Sequence, residues 1–248
     1  MAPINSALLV LLALVASTVS AFDMPTPTKF VKIDNTIVVK AGEVFDGKGA
    51  QFDFKTPGLC KGQKETSSGM IFQVLPGGTV KNAIIGPNQS EGIHCDKGSC
   101  TIQNVWWADV CEDALSIKGD NTQGSRVIGG GATNAQDKVV QHNGKGTVTI
   151  DGFQTKDIGK LYRSCGTCGA IKRTVTLRNI KAEGRALTLV GINSNNGDVA
   201  TFEGNISVGS GIKQVCQTFI ARGKSEPTKN TVGAGNGCNF KQTQVKKI

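Results

Sequence analysis

In the stretch VWWADVCEDALSIKG, residues 105 to 119, Glu112 and Asp113 stand side by side where their neighbours read as a buried strand. Alternate side chains of a strand face opposite sides, so if Cys111, Leu115 and Ile117 point inward, Asp113 shares their side. A buried carboxylate without a partner is costly. Either the chain bends at Cys111-Glu112-Asp113 and turns both acids outward, or a cation sits beside them. A bend that aims two adjacent carboxylates at one point suits a hard divalent ion such as calcium. Paired acids are also common on surfaces, so these two residues alone define only a candidate.

Other residues recur at matching intervals. Glu91, in SEGIHC, lies 21 residues before Glu112, and Lys160, in GKLYRSCGTCG, follows Lys138, in DKVVQHNGKG, by 22. If these intervals are coils of a stack, residues one coil apart lie roughly 4.8 Å apart. Glu91 then shares an ion with the acid pair, and Arg163, three residues beyond Lys160, reaches round the same bend. An acidic cluster beside a basic one suits a metal-bridged uronate chain.

The elements that would position these residues show the same period. Similar pieces begin at Thr79 (TVKNAIIG), Thr101 (TIQNVWWADV), Ser125 (SRVIGGGA), Thr147 (TVTIDGFQTKDI), Thr174 (TVTLRNIKAEG) and Ala200 (ATFEGNISV), at steps of 22, 24, 22, 27 and 26 residues. Each is a short apolar alternation, usually a polar Asn, Asp or Gly, and a second apolar run. One such unit cannot bury its own face, whereas stacked coils can. The expected fold is all-β, a right-handed parallel β-helix built as a single-stranded solenoid. A sandwich would show hairpin turns more often than a drifting period above twenty. Residues 22–248 read as one domain with an extended lead-in, and KQTQVKKI at the end reads as a basic tail or a final edge cover.

Compartment and charge narrow the ligand. ALLVLLALVA followed by STVSA reads as a secretory signal peptide, residues 1–21, too short for a membrane anchor. Eight cysteines in a secreted, extracellular chain point to disulfides, with Cys95/Cys100 and Cys165/Cys168 able to close small loops. Cys60, Cys111, Cys216 and Cys238 supply longer links of undetermined pairing, and Asn88 and Asn205 stand in N-glycosylation sequons. A formal net charge of +9, from 28 Lys+Arg against 19 Asp+Glu, suits either simple solubility or a polyanionic partner. Export argues against nucleic acid and favours an acidic polysaccharide, and a monomer without a membrane partner is expected.

The motifs GIHC, SCTIQNVWWADVCEDALSIKG, DKVVQHNGKG and GKLYRSCGTCG, in that order, resemble secreted pectate lyases of polysaccharide lyase family 3. The resemblance runs from about Gly69 to Asn205, more loosely to Cys238. It implies a compact parallel β-helix that cleaves de-esterified pectin (polygalacturonate) with calcium. It also implies calcium ligands at Glu91, Glu112 and Asp113, with Lys138, Lys160 and Arg163 as the basic residues at the cleavage point. The family often has Asp where Glu91 stands, so a longer arm ligates here.

That chemistry is consistent with the residues. β-Elimination removes the C5 proton beside a carboxylate that opposes carbanion formation, and calcium on that carboxylate lowers the penalty. Arg163 can pair with a carboxylate in fork geometry. A lysine takes a proton only when neutral, so its pKa must fall from about 10.4, which calcium and cationic neighbours favour. An alkaline optimum follows, with Lys138 as base and Lys160 as substrate or carbanion partner.

Other residues have plainer readings. At least one of Trp106 and Trp107 belongs to the core rather than to a sugar. His94 reads as a hydrogen-bonded structural residue and His142 as a group that positions the neighbouring loop. Cys165-Gly-Thr-Cys168 reads as a structural bridge, Gly129–Gly131 as a turn, and Glu65 as a residue approaching the site from the first coil. Two rival functions share the scaffold: a polygalacturonase-like hydrolase, which yields reducing ends without a new chromophore, and a non-catalytic pectin-binding protein, which yields no product.

Overall fold

The structure is a computed structural model that describes residues 22–60 and 69–248. Short strands pair in parallel with those one coil before and after, winding a β-solenoid of about seven turns. Twelve strands form one long sheet and nine form a second, while Arg185–Ala186 and Gly211–Ile212 make a small third sheet.

The repeats pair nearly as their spacing requires. Thr79 faces Thr101, and Thr147 faces Thr174. At the other steps the register is displaced by one residue: Thr101 faces Arg126, Val148 faces Ser125, and Thr174 faces Val199. Inside, Val80, Ile102, Val127, Ile150, Leu177 and Phe202 form one stacked column, all buried. Each such side chain contributes about 1.5–3 kcal/mol by leaving water.

The polar residue of each repeat is explained by backbone geometry. Asn82, Asn104, Gly129, Gly152, Asn179 and Gly204 stack at one corner with φ between 51° and 68°. Glycine and asparagine tolerate this left-handed region best. The Asn104 side-chain amide donates to Asn82 Oδ1 at 3.0 Å, and Asn82 donates to Asp46 Oδ1 at 3.1 Å, tying corner to corner. Gly129–Gly131 is thus a corner, as its sequence suggests.

Both tryptophans are buried. Trp107 lies 6.3 Å from Phe153 between ring centroids, and Trp106 donates its indole N–H to Asn104 Oδ1 at 2.9 Å. Neither is free to stack on a sugar. Ser225–Val232 leaves the parallel pattern and runs antiparallel to Cys216–Arg222, while Val245–Lys247 pairs with Val199–Val208 as an edge cover. Of the two sequons, Asn205 is exposed, whereas the Asn88 amide donates to the Phe54 and Thr56 carbonyls at 2.7 and 2.8 Å. Residues 1–21 and Glu65 lie outside the described residues.

Cys95–Cys100 and Cys165–Cys168 close the short loops, and the longer bridges are Cys60–Cys111 and Cys216–Cys238. Cys60–Cys111 joins positions 51 residues apart, a loop whose closure restricts the unfolded chain by about 4 kcal/mol. Replacing both by alanine is expected to lower the unfolding free energy by that order, read from denaturant titration. Because Cys111 precedes Glu112, activity should fall with it.

Candidate active site

The site lies on the nine-stranded sheet, where Glu91–Cys95, Asp113–Ile117, Lys138–His142 and Lys160–Ser164 are consecutive neighbours. Lys138 faces Asp113 on one side and Lys160 on the other. Ile93 faces Leu115, so Glu91 comes level with Asp113 rather than with Glu112. Two acids and two lysines therefore stack in one column: Glu91, Asp113, Lys138, Lys160.

The backbone bends at Cys111 and Glu112, and the strand begins at Asp113. The bend does not deliver the acids to solvent: Glu112 is 6% exposed and Asp113 2%. The cation beside them is the Lys138 ammonium, 3.3 Å from Asp113 Oδ1 and 3.6 Å from Glu112 Oε1. Burial still holds the Asp113 carboxyl well above its ordinary pKa; Lys138 opposes this, and the negative charges of Glu112 and Glu91 add to it. Burial acts to lower the Lys138 pKa, but Asp113, Asp137 and Glu112 outweigh it and raise the value. The nearest groups to this lysine are acids, not the cations expected to depress it.

Asp137 was not singled out by sequence, although it immediately precedes Lys138 in DKVVQHNGKG. It ion-pairs with Lys138 and lies 3.0 Å from Lys160 Nζ. Burial opposes its ionisation, yet Lys138 and Lys160 together hold its pKa below the ordinary carboxylate value. Arg163, which faces Gln141, is 6% exposed. Its Nη1 donates to Asn193 Oδ1 at 3.0 Å and to the Ser164 carbonyl, and its guanidinium carbon lies 4.1 Å over the Phe219 ring. A Cβ at Gly191 would stand 2.9 Å from Arg163 Cδ, so a bare backbone is needed there. Burial lowers the Arg163 pKa to about 10, which leaves it charged at neutral pH. Nη2, buried and without a hydrogen-bond partner in the protein, is the donor left for a ligand. Asp137, Lys138, Lys160, Arg163 and Phe219 line one cleft of about 280 Å³, together with Glu226 and Pro227. Phe219 and Asn193 lie on later coils, beyond any local motif.

The two histidines are structural. His94 Nε2 lies 2.9 Å from Glu91 Oε2 and anchors that acid. Asn121 Oδ1 accepts from the Thr147 N–H at 3.2 Å, so its amide nitrogen faces His142 Nε2, 3.3 Å away. Nε2 is therefore the acceptor, and Nδ1–H donates to Tyr162 Oη at 2.8 Å. Burial, with the charge of Arg173, depresses the His142 pKa to about 3. Between the unfolded value of about 6.5 and the folded value, only the unfolded chain binds this proton, so stability falls with falling pH by about 1.4 kcal/mol per unit. His142→Gln is expected to remove that slope in unfolding titrations across pH 4 to 6.5, whatever its absolute stability.

Among the described residues, no three His, Cys, Asp or Glu side chains stand in ligating geometry. Two features nevertheless fit a hard cation. Glu112 Oε2 and Asp113 Oδ1 are buried without a hydrogen-bond partner, the latter 3.3 Å from the Lys138 ammonium. Glu91, on the next rung, supplies a third carboxylate of the kind such ions prefer.

The solenoid thus presents stacked carboxylates, paired lysines and a buried arginine on one sheet. Residues 21–226 match the family model described as pectate lyase. "Probable pectate lyase E" of Neosartorya fischeri is 51% identical over 187 residues, 74% of this chain and 72% of the relative. "Probable pectate lyase D" of Aspergillus fumigatus is 43% identical over 240 residues, 94% and 96% of the two chains. The catalytic domain of pectate lyase PelI from Erwinia chrysanthemi superposes with a TM-score of 0.71 at 29% identity, covering 90% of this chain and 98% of that one. PelI has also been solved with tetragalacturonic acid (TM-score 0.69, 28% identity, 90% of this chain and 70% of that one). The chain belongs to the pectate lyase family, polysaccharide lyase family 3, and is an enzyme of that kind.

Proposed function

We propose that this protein is a secreted, calcium-dependent pectate lyase that cuts de-esterified homogalacturonan by β-elimination, leaving unsaturated oligogalacturonides. The column of Glu91, Asp113, Lys138 and Lys160 beside a buried, charged Arg163 carries this reading. The mature enzyme is a monomeric single domain, residues 22–248, released from the signal peptide at residues 1–21. Tetragalacturonic acid, the acidic oligosaccharide in complex with PelI, supports the substrate class.

In this mechanism Glu112 and Asp113, with Glu91, would hold calcium, which would supply Lewis-acid charge to the substrate carboxylate. Arg163 donates from Nη2 to that carboxylate and stabilises the charge that spreads into it as the C5–H bond breaks. The C5 electron pair forms the C4–C5 double bond, the C4–O4 bond breaks, and the departing oxygen takes a proton from solvent. Lys138 is the base. Glu112, Asp113 and Asp137 hold its ammonium; a divalent ion on Glu112 and Asp113 would leave Asp137 as the remaining carboxylate that favours the proton. Lys160, held by Asp137, is the substrate or carbanion partner.

The test is the ultraviolet absorbance of unsaturated uronide on polygalacturonate. It should rise with calcium, stop with chelator and return when calcium is restored. Full activity in chelator removes the metal from the reading, and reducing ends without the chromophore make the enzyme a hydrolase.

A further inference from the structure

Beside the cleft, on residues that lead into the same strands, lies a second hollow of about 380 Å³, with Gln136, Gly159, Arg185, Leu187 and Lys213 in its lining. The two hollows adjoin along each coil, since Gln136 is followed by Asp137, and Gly159 by Lys160. Successive strand residues advance about 3.3 Å, so little separates the hollow from the lysine column. Part of its floor is bare backbone: a Cβ at Gly159 would lie 2.3 Å from the Asp137 carbonyl oxygen and 2.6 Å from that of Gln136.

Three side chains give the hollow its chemistry. Arg185 and Lys213 are exposed, and their side chains are not among the ion pairs formed by the described residues. Leu187 is 58% exposed, an apolar surface of the kind on which the C–H face of a sugar ring packs. The main cleft has an acid, Glu226, in its lining, whereas the lining of this hollow has Arg185 and Lys213 and no acid, so an anionic chain finds complementary charge here.

We propose that this hollow is a further uronate-binding subsite, which takes galacturonate units extending beyond the cleavage point. The inference rests on the lyase reading for its substrate class. Arg185 and Lys213 pair with successive carboxylates, the arginine through its planar fork, while Leu187 supports a ring between them.

The test compares wild type with the double variant Arg185→Ser/Lys213→Ser and with Leu187→Ser, at one ionic strength. Readouts are retardation in polygalacturonate gels and KM on polygalacturonate and on trigalacturonate. Exposed ion pairs are individually weak, so the double variant should lose about three- to tenfold in affinity for the polymer. Its kcat and its KM for the trimer should be unchanged, and Leu187→Ser should weaken the polymer in the same sense. Unchanged polymer affinity, or equal weakening of polymer and trimer, overturns the subsite. Wild type that is retarded in the gel but releases no unsaturated product would defeat the lyase reading while leaving this comparison intact.

Discussion

Arg163→Ala is expected to lower kcat/KM on polygalacturonate by about 10²- to 10³-fold, the usual cost of removing one donor aimed at developing negative charge. The reason is placement. The guanidinium is buried, fixed by Asn193 and the Ser164 carbonyl, supported by the Phe219 ring, and left with Nη2 for the substrate. A ligand carboxylate in such a dry setting interacts more strongly than it would at the surface. Arg163→Lys keeps the charge but not the planar fork, and should recover little activity. Circular dichroism and thermal melting of the purified variants separate lost chemistry from lost folding. A folded lysine variant within tenfold of wild type would show that simple charge suffices and that the fork has no special part.

Asp113→Asn carries the second large effect. Activity in saturating calcium should fall by more than about a hundredfold, because one oxygen anion of a small ligand set and the partner of Lys138 disappear together. The variant also has a readout independent of catalysis. Calcium at a hundred times its Kd should stabilise wild type by about 2.7 kcal/mol, and this increment should largely vanish in the variant. In chelator the sign differs. Burial raises the Asp113 pKa above its unfolded value, so wild-type stability falls as pH rises from about 4 through the folded pKa, a loss the asparagine variant lacks. Equal calcium stabilisation of both proteins would place the ion elsewhere.

Much of this architecture was legible in the chain. The interval of 22 residues between Lys138 and Lys160 is one coil, and the two residues face each other in register. The Asn or Gly of each repeat marks the left-handed corner because few other residues accept that backbone. Intervals were less reliable across a bend. Glu91, counted against Glu112, is level with Asp113, because the turn at Cys111 and Glu112 lies outside the strand register. The four distant cysteines allowed three pairings, and only the stacking of coils selects Cys60–Cys111 and Cys216–Cys238.

The sequence by itself determined the coil, its period and the types of side chain available for chemistry, since these follow from local backbone preference and apolar alternation. Tertiary structure decided their electrostatic state. Asp137 changes from an unremarked acid into the bridge between two lysines, and Lys138 from an expected free amine into an ammonium held by three carboxylates. Phe219 and Asn193 come from later coils to fix Arg163. Charge and burial depend on distances of a few ångströms between coils, and those distances are set by the lengths and bends of the corners, which no single coil encodes.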